Sequence, residues 1–157
     1  TSKHMYAIKR SCEIKMSFFL KDVNERKLRM MLNFGHTFAH AIEIKNNYSR
    51  NISHGEAVLS GMILATRLSN LLKVCSNKTL EEITKIYKEN NLDYTIKKYS
   101  NYKKINELLP FLINDKKNDN DKINFILLKK IGKTTMPNSY KISQNKVRKM
   151  TKSIAQY

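Results

Sequence analysis

A chain of 157 residues, 41% of them hydrophobic, is long enough to form one domain around its own core. Its net charge of +17 suits an anionic partner, but the basic residues are spread over the whole chain among many Asn and Ile, which argues against a nucleic-acid surface and leaves an anionic small molecule. No apolar run reaches the ~18 residues of a membrane span, the first residues lack the apolar centre of a signal peptide, and Cys12 and Cys75 fit no spacing motif, so they are expected to be reduced thiols of a cytoplasmic protein.

In chain order, residues 5–20 carry a mixed helical pattern that Asp22 and Asn24 break. Residues 28–44 are predicted as one helix, with Leu28, Met31, Leu32, Phe38, Ala41 and Ile42 as its apolar positions. After the polar loop "KNNYSRN", a helix from about Gly55 to Leu72 is apolar on nearly every side, so it is expected at the centre of the domain. Thr79 with Glu82 reads as a capping box opening a helix to about Asn90. Residues 103–113 are predicted helical, with Pro110 as a kink. The stretch 114–122 is an exposed loop, and 122–134, "KINFILLKKIGKT", is a small hairpin turning at Gly132. Ser143 is placed to cap a last helix on which Val147, Met150 and Ile154 share a face. The fold class is therefore mainly α, a multi-helix domain with a small β-hairpin near 122–136.

The chemistry concentrates in "RMMLNFGHTFAHAIE" (29–43) and "SHGEAVLSGM" (53–62), which hold three of the four histidines. At ~100° per residue, Arg29, Asn33, His36, His40 and Glu43 share one stripe about a quarter of the helix circumference wide. A solvated face of this chain would be rich in lysine, and this stripe has none. Such a stripe lines a cleft. His36 and His40 stand at the i, i+4 spacing that lets two imidazoles reach one metal ion. His54 follows at a helix start, with Glu56 in the first turn, where a carboxylate is stabilised. Spacing alone suggests a zinc site using two or three of these histidines. His4 reads as an exposed bystander near the chain terminus.

These two segments resemble the signature of the 3-dehydroquinate synthase family, within the sugar-phosphate cyclase superfamily. The resemblance runs upstream through "IKRSCEIK" and "KDVNERKLR" and downstream through "NDKKN" and "INFILLKKIG", covering roughly residues 6–135. It implies that residues 1–157 are a single helical metal- and substrate-binding domain, the C-terminal part of such an enzyme, with the N-terminal nucleotide-binding domain absent from this sequence. It also implies that His36 and His54 bind zinc or cobalt while His40 faces the substrate, so the i, i+4 pair is split between metal and substrate. Lys15, Arg29 and Asn33 match substrate-holding positions, Glu25 matches a glutamate near the elimination site and is implied with His40 in catalysis, and Lys116 or Lys117 reaches the phosphate.

The implied reaction converts 3-deoxy-D-arabino-heptulosonate 7-phosphate to 3-dehydroquinate and phosphate, a step of the shikimate pathway, with transient oxidation by NAD and assistance from the metal. The implied partners are the anionic sugar phosphate and a second copy in a homodimer, with neither nucleic acid nor membrane. NAD and a third metal ligand are expected upstream of the matched region, so the domain is expected to be inactive alone. Alternatives are another cyclase of the 2-deoxy-scyllo-inosose synthase type, a metal alcohol dehydrogenase of the glycerol dehydrogenase type, or a non-catalytic basic binding module. Two positions depart from the family's pattern: Ala39 and Lys27 stand where glycine is usual.

Overall fold

A computed structural model describes residues 2–98, 101–113 and 122–155. Helix α1 (Ser2–Lys21) buries none of its residues and touches mainly the short 3-10 turn Arg29–Asn33. Then come α2 (His36–Lys45), α3 (His54–Leu71), α4 (Asn77–Glu89), α5 (Asp93–Lys98), α6 (Tyr102–Asn106) and α7 (Leu109–Ile113). Four short strands follow, β1 (Lys122–Phe125), β2 (Leu128–Lys130), β3 (Lys133–Thr134) and β4 (Tyr140–Ser143), and α8 (Gln144–Ala155) closes the described chain.

Helix α3 is the centre, as its apolar surface requires. It buries residues on all sides, including Ala57, Leu64 and Leu68, and packs on α2, α4, α5 and α8. Ser53 and Glu56 form a reciprocal capping box at its start, each side chain bonding the other's backbone N–H, so the helix begins at His54. Around it, Phe38 of α2 meets Phe125 of β1 with ring centres 5.4 Å apart, and Ile105, Leu108, Leu112, Val147 and Ile154 complete the core. Arg67, also fully buried, donates to the carbonyl of Ile154 at 3.2 Å, bonding one of the last carbonyls of α8.

Four expectations change in detail. Residues 28–44 are not one helix: Gly35 adopts φ 84°, a left-handed conformation, and separates the 3-10 turn from α2. The N-cap of α4 is Ser76, whose hydroxyl accepts from the Thr79 N–H at 3.2 Å; Thr79 itself lies buried in the first turn. The helix expected over 103–113 is broken at Glu107–Leu108 into α6 and α7, with Pro110 near the start of α7, where a missing N–H costs nothing. The hairpin at Gly132 is present as β2 and β3, but β1 pairs with β4 in a second two-stranded antiparallel sheet whose far strand lies beyond the expected hairpin. Ser143 caps α8 as expected, its hydroxyl accepting from the Lys146 N–H, and Val147 and Ile154 are buried. No helix among the described residues is long and apolar enough to cross a membrane.

Candidate active site

The polar stripe survives the break in its helix. Gly35 turns the chain, and the 3-10 turn then presents Arg29 and Asn33 while α2 presents His36, His40 and Glu43. Helices α2 and α3 cross at very close range. A Cβ on Gly61 would lie 2.2 Å from the Gly35 carbonyl oxygen, and one on Gly35 would lie 2.7 Å from the Met62 backbone nitrogen. This crossing sets His54, at the start of α3, against the histidines of α2. The His36 and His40 ring centres are 5.7 Å apart, and those of His36 and His54 are 5.6 Å apart.

A cleft of about 680 Å³ is lined by Lys15 and Phe19 of α1 together with Glu25, Arg29, Asn33 and His36. Glu25 organises it. One carboxylate oxygen accepts from Arg29 Nη2 at 2.7 Å and Nε at 3.3 Å, and the other accepts from Asn33 Nδ2 at 2.9 Å. Arg29 also donates from Nη1 to the Val23 carbonyl at 2.6 Å and lies 5.4 Å from the centre of the Phe19 ring, a cation–π distance. The guanidinium is thus fixed on three sides, and its remaining N–H groups are available to an anion. The turn beneath it is tied by Asp22, whose carboxylate accepts from the backbone N–H groups of Arg26, Lys27 and Arg29 at 3.0, 2.7 and 3.0 Å. Those bonds hold the Asp22 carboxyl below the usual carboxylate range.

His36 is half-buried, and its Nδ1 is buried without a hydrogen-bond partner. Burial lowers its pKa below the usual 6.5, outweighing the opposing pull of the Phe34 backbone and of Glu43, and the neighbouring His40 and His54 act in the same direction as burial. This favours the neutral imidazole that a metal ligand must be. His54 is exposed, and its Nδ1 lies 2.8 Å from Oε1 of the mostly buried Glu43. An orphaned, neutral imidazole nitrogen beside a second imidazole held by a carboxylate fits a metal such as zinc or cobalt. The set is incomplete: among the described residues, no group of three or more His, Cys, Asp or Glu side chains is arranged to hold a metal ion.

The structure therefore brings together seven of the expected site residues: Lys15, Glu25, Arg29, Asn33, His36, His40 and His54. Lys116 and Lys117 lie outside the described residues. Of the two departures from the family pattern, Lys27 carries no backbone strain, because the left-handed residue of that turn is Glu25, at φ 50°. Ala39 is fully buried. Three neighbours of the site had no sequence signal of their own. Phe19 lies beside Arg29, Asp22 read only as a helix breaker, and Asn124 of β1 borders a small hollow with Asn33, His36 and His40.

Residues 1–118 match the family model described as 3-dehydroquinate synthase C-terminal. A 3-dehydroquinate synthase of Pelagibacter ubique is 43% identical over 126 residues, covering 80% of this chain and 34% of the relative. Those of Endomicrobium trichonymphae and Dictyoglomus turgidum are 40% and 43% identical, covering 82% and 83% of this chain and 34% and 35% of their own lengths. Among solved structures, 2-deoxy-scyllo-inosose synthase complexed with carbaglucose-6-phosphate, NAD⁺ and Co²⁺ superposes with a TM-score of 0.70 at 26% identity, over 88% of this chain and 38% of that one. The chain spans about a third of the length of the relatives it matches. It belongs to the 3-dehydroquinate synthase family and corresponds to the C-terminal domain.

Proposed function

We propose that this chain supplies the substrate- and metal-facing part of a 3-dehydroquinate synthase acting on 3-deoxy-D-arabino-heptulosonate 7-phosphate. The observation that carries the reading is the cleft in which the Glu25–Arg29–Asn33 cluster meets His36, whose ring adjoins those of His40 and His54. Arg29 and Lys15 give the two anionic ends of such a substrate charge-assisted partners. Glu25 orients Arg29 and Asn33, so the substrate meets groups already aligned and little reorganisation is needed on binding. His40, beside His36 on the next turn of α2, is positioned to hold or move a proton at a substrate hydroxyl. His36 and His54 would hold the metal, zinc or cobalt. When bound, that ion supplies Lewis-acid polarisation and NAD⁺ a transient hydride acceptor. The family resemblance puts the NAD site and the remaining metal ligand upstream of the matched region, so this domain by itself is assigned no turnover. The same reading makes the enzyme a cytoplasmic homodimer.

The test is phosphate release from 3-deoxy-D-arabino-heptulosonate 7-phosphate by the complete protein, with NAD⁺ and Zn²⁺ or Co²⁺. Turnover that Arg29→Ala lowers at least 100-fold supports the reading. The solved neighbour was complexed with carbaglucose-6-phosphate, which has no carboxylate, and this favours a second reading as a cyclase of another sugar phosphate. Turnover of glucose 6-phosphate in place of the heptulosonate would establish that one.

A further inference from the structure

Glu43 has no part in the reading above. It stands on α2 one turn beyond His40, its side chain only 14% exposed, and its Oε1 lies 2.8 Å from His54 Nδ1. The His54 side chain is 61% exposed and sits in the first turn of α3. A ring so exposed is free to rotate and to carry its proton on either nitrogen, unless something holds it. The held partner is the carboxylate, on a helix locked against α3 by the Gly35–Gly61 crossing. Glu43 accepts, so Nδ1 must donate, and in neutral His54 the lone pair is then left on Nε2. The contact the structure gives Glu43 is with the ring itself, Oε1 against Nδ1 at 2.8 Å, so its carboxylate is assigned to His54.

We propose that Glu43 is a positioning residue for the metal: it fixes the orientation and the Nδ1–H tautomer of His54, leaving Nε2 as the ligating nitrogen. This rests on the assignment of His36 and His54 as metal ligands. A carboxylate bonded to the far nitrogen of a ligating imidazole orients it and raises its basicity, and losing such a partner costs ~10–100-fold in metal affinity.

The test has two readouts on this chain. Long-range ¹H–¹⁵N correlation of the histidine rings reports the His54 tautomer without metal, and competition with a chromophoric chelator reports Zn²⁺ affinity. In the wild type, neutral His54 should be the Nδ1–H form. Glu43→Gln, which keeps an acceptor oxygen, should retain that tautomer and lose little affinity. Glu43→Leu, checked for an unchanged helical circular dichroism spectrum, should shift the ring toward Nε2–H and weaken Zn²⁺ at least 10-fold. A wild-type Nε2–H ring, or a Glu43→Leu variant with wild-type tautomer and affinity, overturns the proposal. If Zn²⁺ affinity ignores His36→Ala and His54→Ala while the tautomer follows Glu43, the ligand assignment fails instead, and the Glu43–His54 bond is structural only.

Discussion

Replacing Gly61 with alanine tests the idea that the site is assembled by a backbone-to-backbone crossing. The new Cβ would lie 2.2 Å from the Gly35 oxygen and 2.9 Å from the Ala39 nitrogen, both main-chain atoms that cannot swing aside. Restoring ordinary contact needs α2 and α3 to part by about 1 Å, and a gap of that size forfeits roughly a quarter to a half of the dispersion energy across the packed face. Overpacking of this kind costs about 1–3 kcal/mol, more where backbone is the obstacle. Alanine's better helix propensity returns about 1 kcal/mol. The net expectation is a loss of about 1–2 kcal/mol, or a fall of roughly 3–8 °C in Tm for a domain of this size. Gly55 is the control in the same helix, because a Cβ there meets nothing within 4 Å. Gly55→Ala should leave Tm unchanged or raise it by up to about 3 °C. Thermal unfolding followed by circular dichroism decides. Equal Tm values for Gly61→Ala and the wild type, or an equal fall for both variants, would refute the crossing as the constraint.

Two further outcomes follow from buried groups. Tyr87, almost fully buried, donates from its hydroxyl to the Leu59 carbonyl at 2.8 Å, linking α4 to α3, so Tyr87→Phe should lower stability by about 1 kcal/mol in urea unfolding, with an unchanged m-value. Because the folded-state pKa of His36 lies below its unfolded value, the stability it contributes is present above about pH 6.5 and is lost as pH falls through the folded pKa. A His36→Gln variant should show a flatter fall of Tm between pH 7 and 5 than the wild type, and equal slopes would remove His36 as a source of that dependence.

The central helix was legible because its apolar pattern covers every side and no packing detail is needed to see it. The polar stripe was legible for a less direct reason. Its helical spacing assumed an unbroken helix, yet a 3-10 turn, a left-handed Gly35 and a new helix still leave Arg29, Asn33 and His36 around one cleft. The position of Gly35 within "NFGHTF" is visible in the sequence, but the close approach of Met62 and Gly61 from another helix, which leaves no room for a Cβ there, is encoded by no local pattern. The same holds for β4: "YKIS" pairs with β1 across a connection that includes the whole β2–β3 hairpin, so the turn signal at Gly132 pointed to the nearer pairing alone. The Glu43–His54 bond likewise joins residues eleven apart, across the loop between two helices.

Glu25 shows how strain and function are tied in this site. A glutamate at φ 50° costs about 1–2 kcal/mol relative to the right-handed region, a cost glycine does not incur. The turn holds it there with three backbone N–H bonds to Asp22, and the return is a carboxylate that aligns Arg29 and Asn33 at once. Glu25→Gly separates the two effects. Relief of strain should offset most of the lost bonding to two partly exposed side chains, so Tm should stay within about 3 °C of the wild type. Anion binding should not survive so well, because Arg29 loses two of its anchoring bonds and Asn33 its partner. Inorganic phosphate affinity, read by titration calorimetry, should fall at least 10-fold. A variant that binds phosphate as the wild type does would show that Arg29 is held well enough by Val23 and Phe19. A variant that loses 10 °C would show instead that Glu25 is there to build the turn.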